Sequence, residues 1–149
     1  MPGLIDTNLL LYAVNTDAPE HEGAQQFLTS SLETGDSWYL TEGIAYEFLR
    51  VSTHAKVFDQ PLTWDQALSF LEAIWLRDNV TVLSAGVDHW STLKERLESV
   101  RHPAGNLFFD IRSYVLMREH SIKKIYTADS DFLQFDDIEV VNPIQGRRA

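Results

Sequence analysis

The chain has 149 residues, the length of one ordinary domain, and such a domain buries roughly 70% of the surface its unfolded chain exposes. A composition of 44% hydrophobic and 23% charged residues excludes a disordered chain, and the lack of cysteine excludes both a disulfide framework and a thiolate metal site. Lys and Arg number 12 against 22 Asp and Glu, so the net charge of −10 has the wrong sign for holding nucleic acid by surface charge alone; functional acid is expected where cations bind.

Met1-Pro2-Gly3 lacks a basic n-region, and the apolar run Leu9 to Val14 is too short for a signal segment or a membrane span. A cytoplasmic protein without a membrane partner is therefore expected. Along the chain, the first strand is predicted at Gly3-Leu4-Ile5, followed by helices near Asn8 to Val14 and Glu20 to Leu32. Ser37-Trp38-Tyr39-Leu40 is the second strand, with helices from Glu42 to Thr53 and Trp64 to Arg77 after it. Thr63-Trp64-Asp65-Gln66 has the form of a capping box that opens the latter helix. The third strand is Val80-Thr81-Val82-Leu83, and helices over Asp88 to Val100 and Leu107 to His120 follow. Lys124-Ile125-Tyr126-Thr127 and Glu139-Val140-Val141 complete the strands. Strands alternating with helices predict an α/β fold, a single-domain α/β/α sandwich around a mostly parallel sheet with right-handed crossovers.

In such sheets the ligand site lies beyond the carboxyl ends of the strands. Asp6 follows the first strand directly, and Asp129 follows the fourth after Thr127-Ala128. Each acid also has an ordinary structural role open to it. Asp6-Thr7-Asn8 is good capping chemistry for a helix start, and Asp129-Ser130-Asp131 suits an Asx turn. Asp110 stands in the apolar run Leu107-Phe108-Phe109-Asp110-Ile111, where a buried carboxylate needs a cation, a proton or several donors; a solvent-facing turn or a salt bridge to Arg112 or Arg101 would make it an ordinary structural acid. Glu47, in Ile44-Ala45-Tyr46-Glu47-Phe48-Leu49-Arg50, is either a helix-surface acid or a ligand. Together, oxygen donors of this kind suit Mg²⁺ or Mn²⁺ better than zinc. His54 and His102 have no second imidazole at ligand spacing, and Trp38, Trp64, Trp75 and Trp90 fit core or dimer surface better than a base-stacking platform.

Four segments carry a family resemblance. They are Ile5-Asp6-Thr7-Asn8-Leu9-Leu10-Leu11-Tyr12-Ala13, Glu47-Phe48-Leu49-Arg50-Val51, Gly105-Asn106-Leu107-Phe108-Phe109-Asp110 and Tyr126-Thr127-Ala128-Asp129-Ser130-Asp131-Phe132-Leu133, with Val140-Val141-Asn142-Pro143 as a closing strand. In order, spacing and context the chain resembles the PIN-domain nucleases, and within them the VapC-type toxins of toxin–antitoxin pairs. The bulky Ile111-Arg112-Ser113-Tyr114 departs from the small, alanine-rich residues that many relatives carry after this aspartate.

The resemblance implies one PIN-like nuclease domain over residues 1–149. Asp6, Glu47, Asp110 and Asp129 would be its catalytic, metal-binding quartet, with Asp131 as an auxiliary metal ligand. Thr7, Asn8 and Thr127 would orient these acids, while Arg50 and Arg112 would contact RNA phosphate or pair with nearby acids. It further implies Mg²⁺- or Mn²⁺-dependent endonucleolytic cleavage of RNA, with tRNA among the candidate substrates. The implied partners are a small antitoxin with a basic segment and a second copy of the chain in a homodimer. The alternative is a catalytically inactive PIN-like module that binds RNA or protein; an intact set of four acids argues against it.

Overall fold

Neighbouring side chains of a strand point to opposite faces of its sheet, and Leu4 and Ile5 are both completely buried. The sheet is therefore covered on both sides, the arrangement parallel sheets require. The computed structural model, which describes residues 2–144, resolves this strand as β1 (Leu4–Ile5) at the centre of five. β2 (Trp38–Thr41), β3 (Val80–Leu83), β4 (Lys124–Tyr126) and β5 (Glu139–Val141) complete the order β3-β2-β1-β4-β5. Every pairing is parallel, with Leu4 opposite both Tyr39 and Ile125. Gly3 is required by the approach to β4, since a Cβ there would meet the Lys124 carbonyl oxygen at 2.6 Å.

Among the described residues, six helices occupy the crossovers: α1 (Thr7–Val14), α2 (His21–Leu32), α3 (Glu42–Ser52), α4 (Trp64–Trp75), α5 (His89–Leu97) and α6 (Leu107–Glu119). α1 packs on α2 and α3, α3 on α4, and α5 on α6. The predicted capping box is present: Thr63 Oγ1 accepts from Gln66 N, and Gln66 Oε1 accepts from Thr63 N. Trp38 is buried against Phe27 and Tyr126, its indole N–H donating to the Ser31 carbonyl. These expectations hold, and the sheet is wholly parallel among the described strands.

Two local features differ from the sequence reading. Ser130–Gln134 forms a 3₁₀ turn that pattern alone did not announce, because a single turn carries no periodicity. Phe108 and Phe109 are exposed rather than buried: Leu107 packs against the core and Ile111 is fully buried, while the two phenylalanines between them fall on the outer face of α6. The tryptophans divide between core and surface as expected, with Trp38 and Trp75 in or against the core and Trp64 and Trp90 on the surface.

Strand order reverses at β1, with β2 on one side and β4 on the other, and this is the switch point where open α/β sheets bind ligands. Asp6 and Asp129 leave the sheet at that edge.

Candidate metal centre

Asp6 is buried at the end of β1, and its backbone N–H prolongs the sheet by donating to the Tyr126 carbonyl at 3.0 Å. Its Oδ1 caps α1 by accepting from Thr7 N at 2.9 Å. The other oxygen, Oδ2, accepts from Thr127 Oγ1 at 2.8 Å and from Asn8 Nδ2 at 3.3 Å. Thr127 thus commits its one proton to Asp6, and its lone pairs take Asn8 Nδ2 and Asp129 N, each at 3.0 Å. Asn8 Oδ1 closes the network by accepting from Ala128 N at 3.0 Å. Cap and candidate site acid are the same residue here, and Asn8 and Thr127 lock the end of β1 to the end of β4.

Asp129 also fills its structural role, accepting from Asp131 N at 2.9 Å to open the 3₁₀ turn. That Asx turn swings Asp131 back, so that carboxylate oxygens of Asp110, Asp129 and Asp131 lie within 4.8 Å of one another. Asp6 and Glu47 fall outside this tight trio yet close enough to act on it. Burial pushes Asp110 up to about 7, and repulsion from Asp6, Asp129, Asp131 and Glu47 adds to the rise. Burial likewise lifts Asp6 to about 6 against the lowering hydrogen bonds of Thr127 and Thr7, with Glu47 and Asp129 raising it further. Asp131, expected as an auxiliary ligand, lies in the tight trio with Asp110 and Asp129. Asp6, Glu47, Asp129 and Asp131 all act on Asp110 as like charges.

Neither Arg112 nor Arg101 forms an ion pair with Asp110 among the described residues. The internal salt bridge that would make Asp110 merely structural is absent from that set. Every donor in the cluster is a carboxylate oxygen, and no histidine joins it among the described residues. His54 instead accepts from Lys56 N in a surface turn, and His102 is exposed at a positive φ of 52°. This donor chemistry fits a hard divalent cation, which would neutralise the repulsion that now raises Asp6 and Asp110.

Beside the acids opens a cleft of about 370 Å³ lined by Thr127, Ala128, Asp129, Ser130, Leu133, Val140 and Asn142. Sequence reasoning placed Asn142 only in the closing strand. The signal available was its position just past β5, equivalent to that of Thr127 and Asp129 past β4. Thr7, expected to orient the acids, is buried, its hydroxyl has no partner among the described residues, and it contributes to Asp6 through its backbone N–H.

Residues 3–138 match the PIN domain family. Among curated relatives, Ribonuclease VapC48 of Mycobacterium tuberculosis is 29% identical, the match covering 98% of this chain and 100% of the relative. Ribonuclease VapC33 of the same organism is also 29% identical over 94% of this chain and 96% of the relative. The solved structure of M. tuberculosis VapC20, described as a Sarcin-Ricin loop cleaving toxin, superposes with a TM-score of 0.70 at 18% identity, covering 95% of this chain and 100% of that one. VapBC2 from Rickettsia felis, bound to a DNA fragment from its promoter, gives 0.66 at 16% identity, covering 95% and 98%. With its parallel sheet, its acids at the switch point and a match spanning nearly its whole length, this chain belongs to the PIN-domain family.

Proposed function

We propose that residues 1–149 form one nuclease domain that cleaves RNA endonucleolytically with Mg²⁺ or Mn²⁺, as the toxin of a VapBC-type pair. One observation carries the reading: Asp110, Asp129 and Asp131 converge within 4.8 Å, flanked by Asp6 and Glu47, with no internal cation paired to Asp110 among the described residues. The relatives named ribonucleases support the substrate class.

When bound, a divalent cation supplies charge neutralisation at the phosphodiester and acidifies a water for attack on phosphorus. The chain's own part is positional. Asp110, Asp129 and Asp131 hold the cation, and Glu47 adds charge from α3. Asp6 keeps its orientation because Thr127, Asn8 and Thr7 N fix both of its oxygens. In this reading, structured RNA is the substrate and tRNA is among the species to test.

The partners follow from charge and surface. A basic antitoxin segment placing Arg or Lys against the acids would occupy the cation's place and block RNA. An apolar groove of about 530 Å³ between α3 and α4, with Tyr46 and Leu76 exposed along it, supports a homodimer. No helix among the described residues is long and apolar enough to cross a membrane, and we assign the protein to the cytoplasm.

The test is a gel assay on an RNA panel with Mg²⁺, with Mn²⁺ and with EDTA. Cleavage is expected with either ion and is lost in EDTA, in Asp6→Asn and in Asp110→Asn. Cleavage that survives EDTA sinks the metal mechanism. RNA binding without cleavage under any condition favours the inactive binding module.

A further inference from the structure

The guanidinium of Arg112 lies directly on Gly43. A Cβ added at Gly43 would overlap Arg112 Nη1 and come within 3.1 Å of Cζ, so the missing side chain of Gly43 is the space the arginine occupies. Arg112 reaches this place from α6, crossing to the first turn of α3. Gly43 and Glu47 are four residues apart on α3 and share a face, so the guanidinium sits one turn, about 6 Å along the axis, from the Glu47 position. Glu47 belongs to the field of acids acting on Asp6 and Asp110.

In a chain of net charge −10, Arg112 makes no ion pair among the described residues, although exposed Glu42 adjoins Gly43 in sequence. The N-terminal turn of α3, an 11-residue helix, adds partial positive charge at the same point. A planar guanidinium with no ion pair among the described residues, braced on a glycine, presents donors suited to bidentate capture of phosphate.

We infer that Arg112, seated on Gly43, docks a backbone phosphate of the RNA next to the one held at the carboxylates. The inference rests on the proposed ribonuclease reading and adds the residue that draws a polyanion toward an acidic surface. A phosphate contact of this kind is independent of base sequence, so any RNA reports on it.

The test measures binding of a fluorescently labelled RNA hairpin by anisotropy across a NaCl series with Mn²⁺ present, every protein carrying Asp6→Asn to prevent cleavage. Arg112→Gln is expected to bind about tenfold more weakly at low salt, and its slope of log affinity against log salt should shrink by about 0.7 to 0.9. Arg112→Lys should keep the slope and recover part of the affinity. Gly43→Ala should weaken binding as Arg112→Gln does while melting higher, because alanine favours the helix and displaces only the arginine's far end. The melting temperature of Arg112→Gln should match its parent. Unchanged affinity and slope in Arg112→Gln overturn the inference, as does a lowered melting temperature with RNA affinity intact, which marks a structural brace. Loss of antitoxin binding with RNA binding unaffected would assign Arg112 to a protein partner instead. The ribonuclease reading is scored separately, by cleavage with the Asp6-intact protein; if that protein neither binds nor cleaves RNA, both fall.

Discussion

Replacing Asp110 with asparagine should stabilise the metal-free protein while abolishing its response to metal. The wild-type carboxyl is raised from 3.8 to about 7 by burial and by four neighbouring acids. Each tenfold change in a proton equilibrium is worth about 1.4 kcal/mol, so the ceiling on this effect is about 4 kcal/mol. Asp110 is only partly buried, and solvent screening reduces the figure to about 2 kcal/mol. The sign follows from proton binding. A folded-state pKa above the unfolded value means the folded protein holds the proton more tightly, so wild type loses stability as pH rises from about 4 through about 7. Asparagine keeps the shape and removes the charge. In EDTA at pH 8 the variant should therefore melt about 4–8 °C higher, an advantage that vanishes near pH 4. Wild type should regain about 2.7 kcal/mol in Mn²⁺ at 100 times the dissociation constant, and the variant much less. Calorimetric melts of both proteins at the two pH values, with EDTA and with Mn²⁺, decide the matter. If Asp110→Asn melts lower than wild type in EDTA at pH 8, and both gain equally from Mn²⁺, Asp110 is a structural acid satisfied internally.

Thr127→Val removes one hydroxyl that serves three partners, Asp6, Asn8 and Asp129, and should destabilise the protein by about 1–3 kcal/mol. Since that hydroxyl lowers the Asp6 carboxyl, its loss should lift Asp6 above about 6 and move the acid limb of the pH–rate profile for RNA cleavage upward; a limb that stays in place refutes the role given to Thr127. Co-expression with a basic antitoxin should yield a complex in which hydrogen exchange slows around Asp6 and Asp110, and protection elsewhere alone would refute occlusion of the site. Sedimentation of the free chain should show a dimer that Tyr46→Lys disperses, whereas a monomer at all concentrations removes the α3–α4 groove as a self-interface.

Local chemistry made most of the elements legible in the sequence. A strand or helix announces itself by the period of its own side chains and by its caps, which is why Val80–Leu83 and Glu139–Val141 match expectation to the residue and Thr63 forms its box with Gln66. The carboxylates were also visible, because acids beside strand ends and within an apolar helix stand out against their surroundings. Sequence left each of them with two readings, cap or ligand, turn or ligand. The fold shows that these do not exclude each other: Asp6 caps α1 and Asp129 opens a 3₁₀ turn while both face the cluster. Only tertiary structure decided the strand order, since pairing β1 with β4 depends on contacts more than 100 residues apart that no local period encodes. That pairing brings Thr127 onto Asp6 and sets the distances among Asp110, Asp129 and Asp131. Tertiary packing also determined what a run of hydrophobic letters could not: Leu107 and Ile111 face the core, while Phe108 and Phe109 between them stand in solvent. The seat of Arg112 on Gly43 belongs to the same class of fact, because the space beside a glycine gains meaning only from the residue that a distant helix brings to fill it.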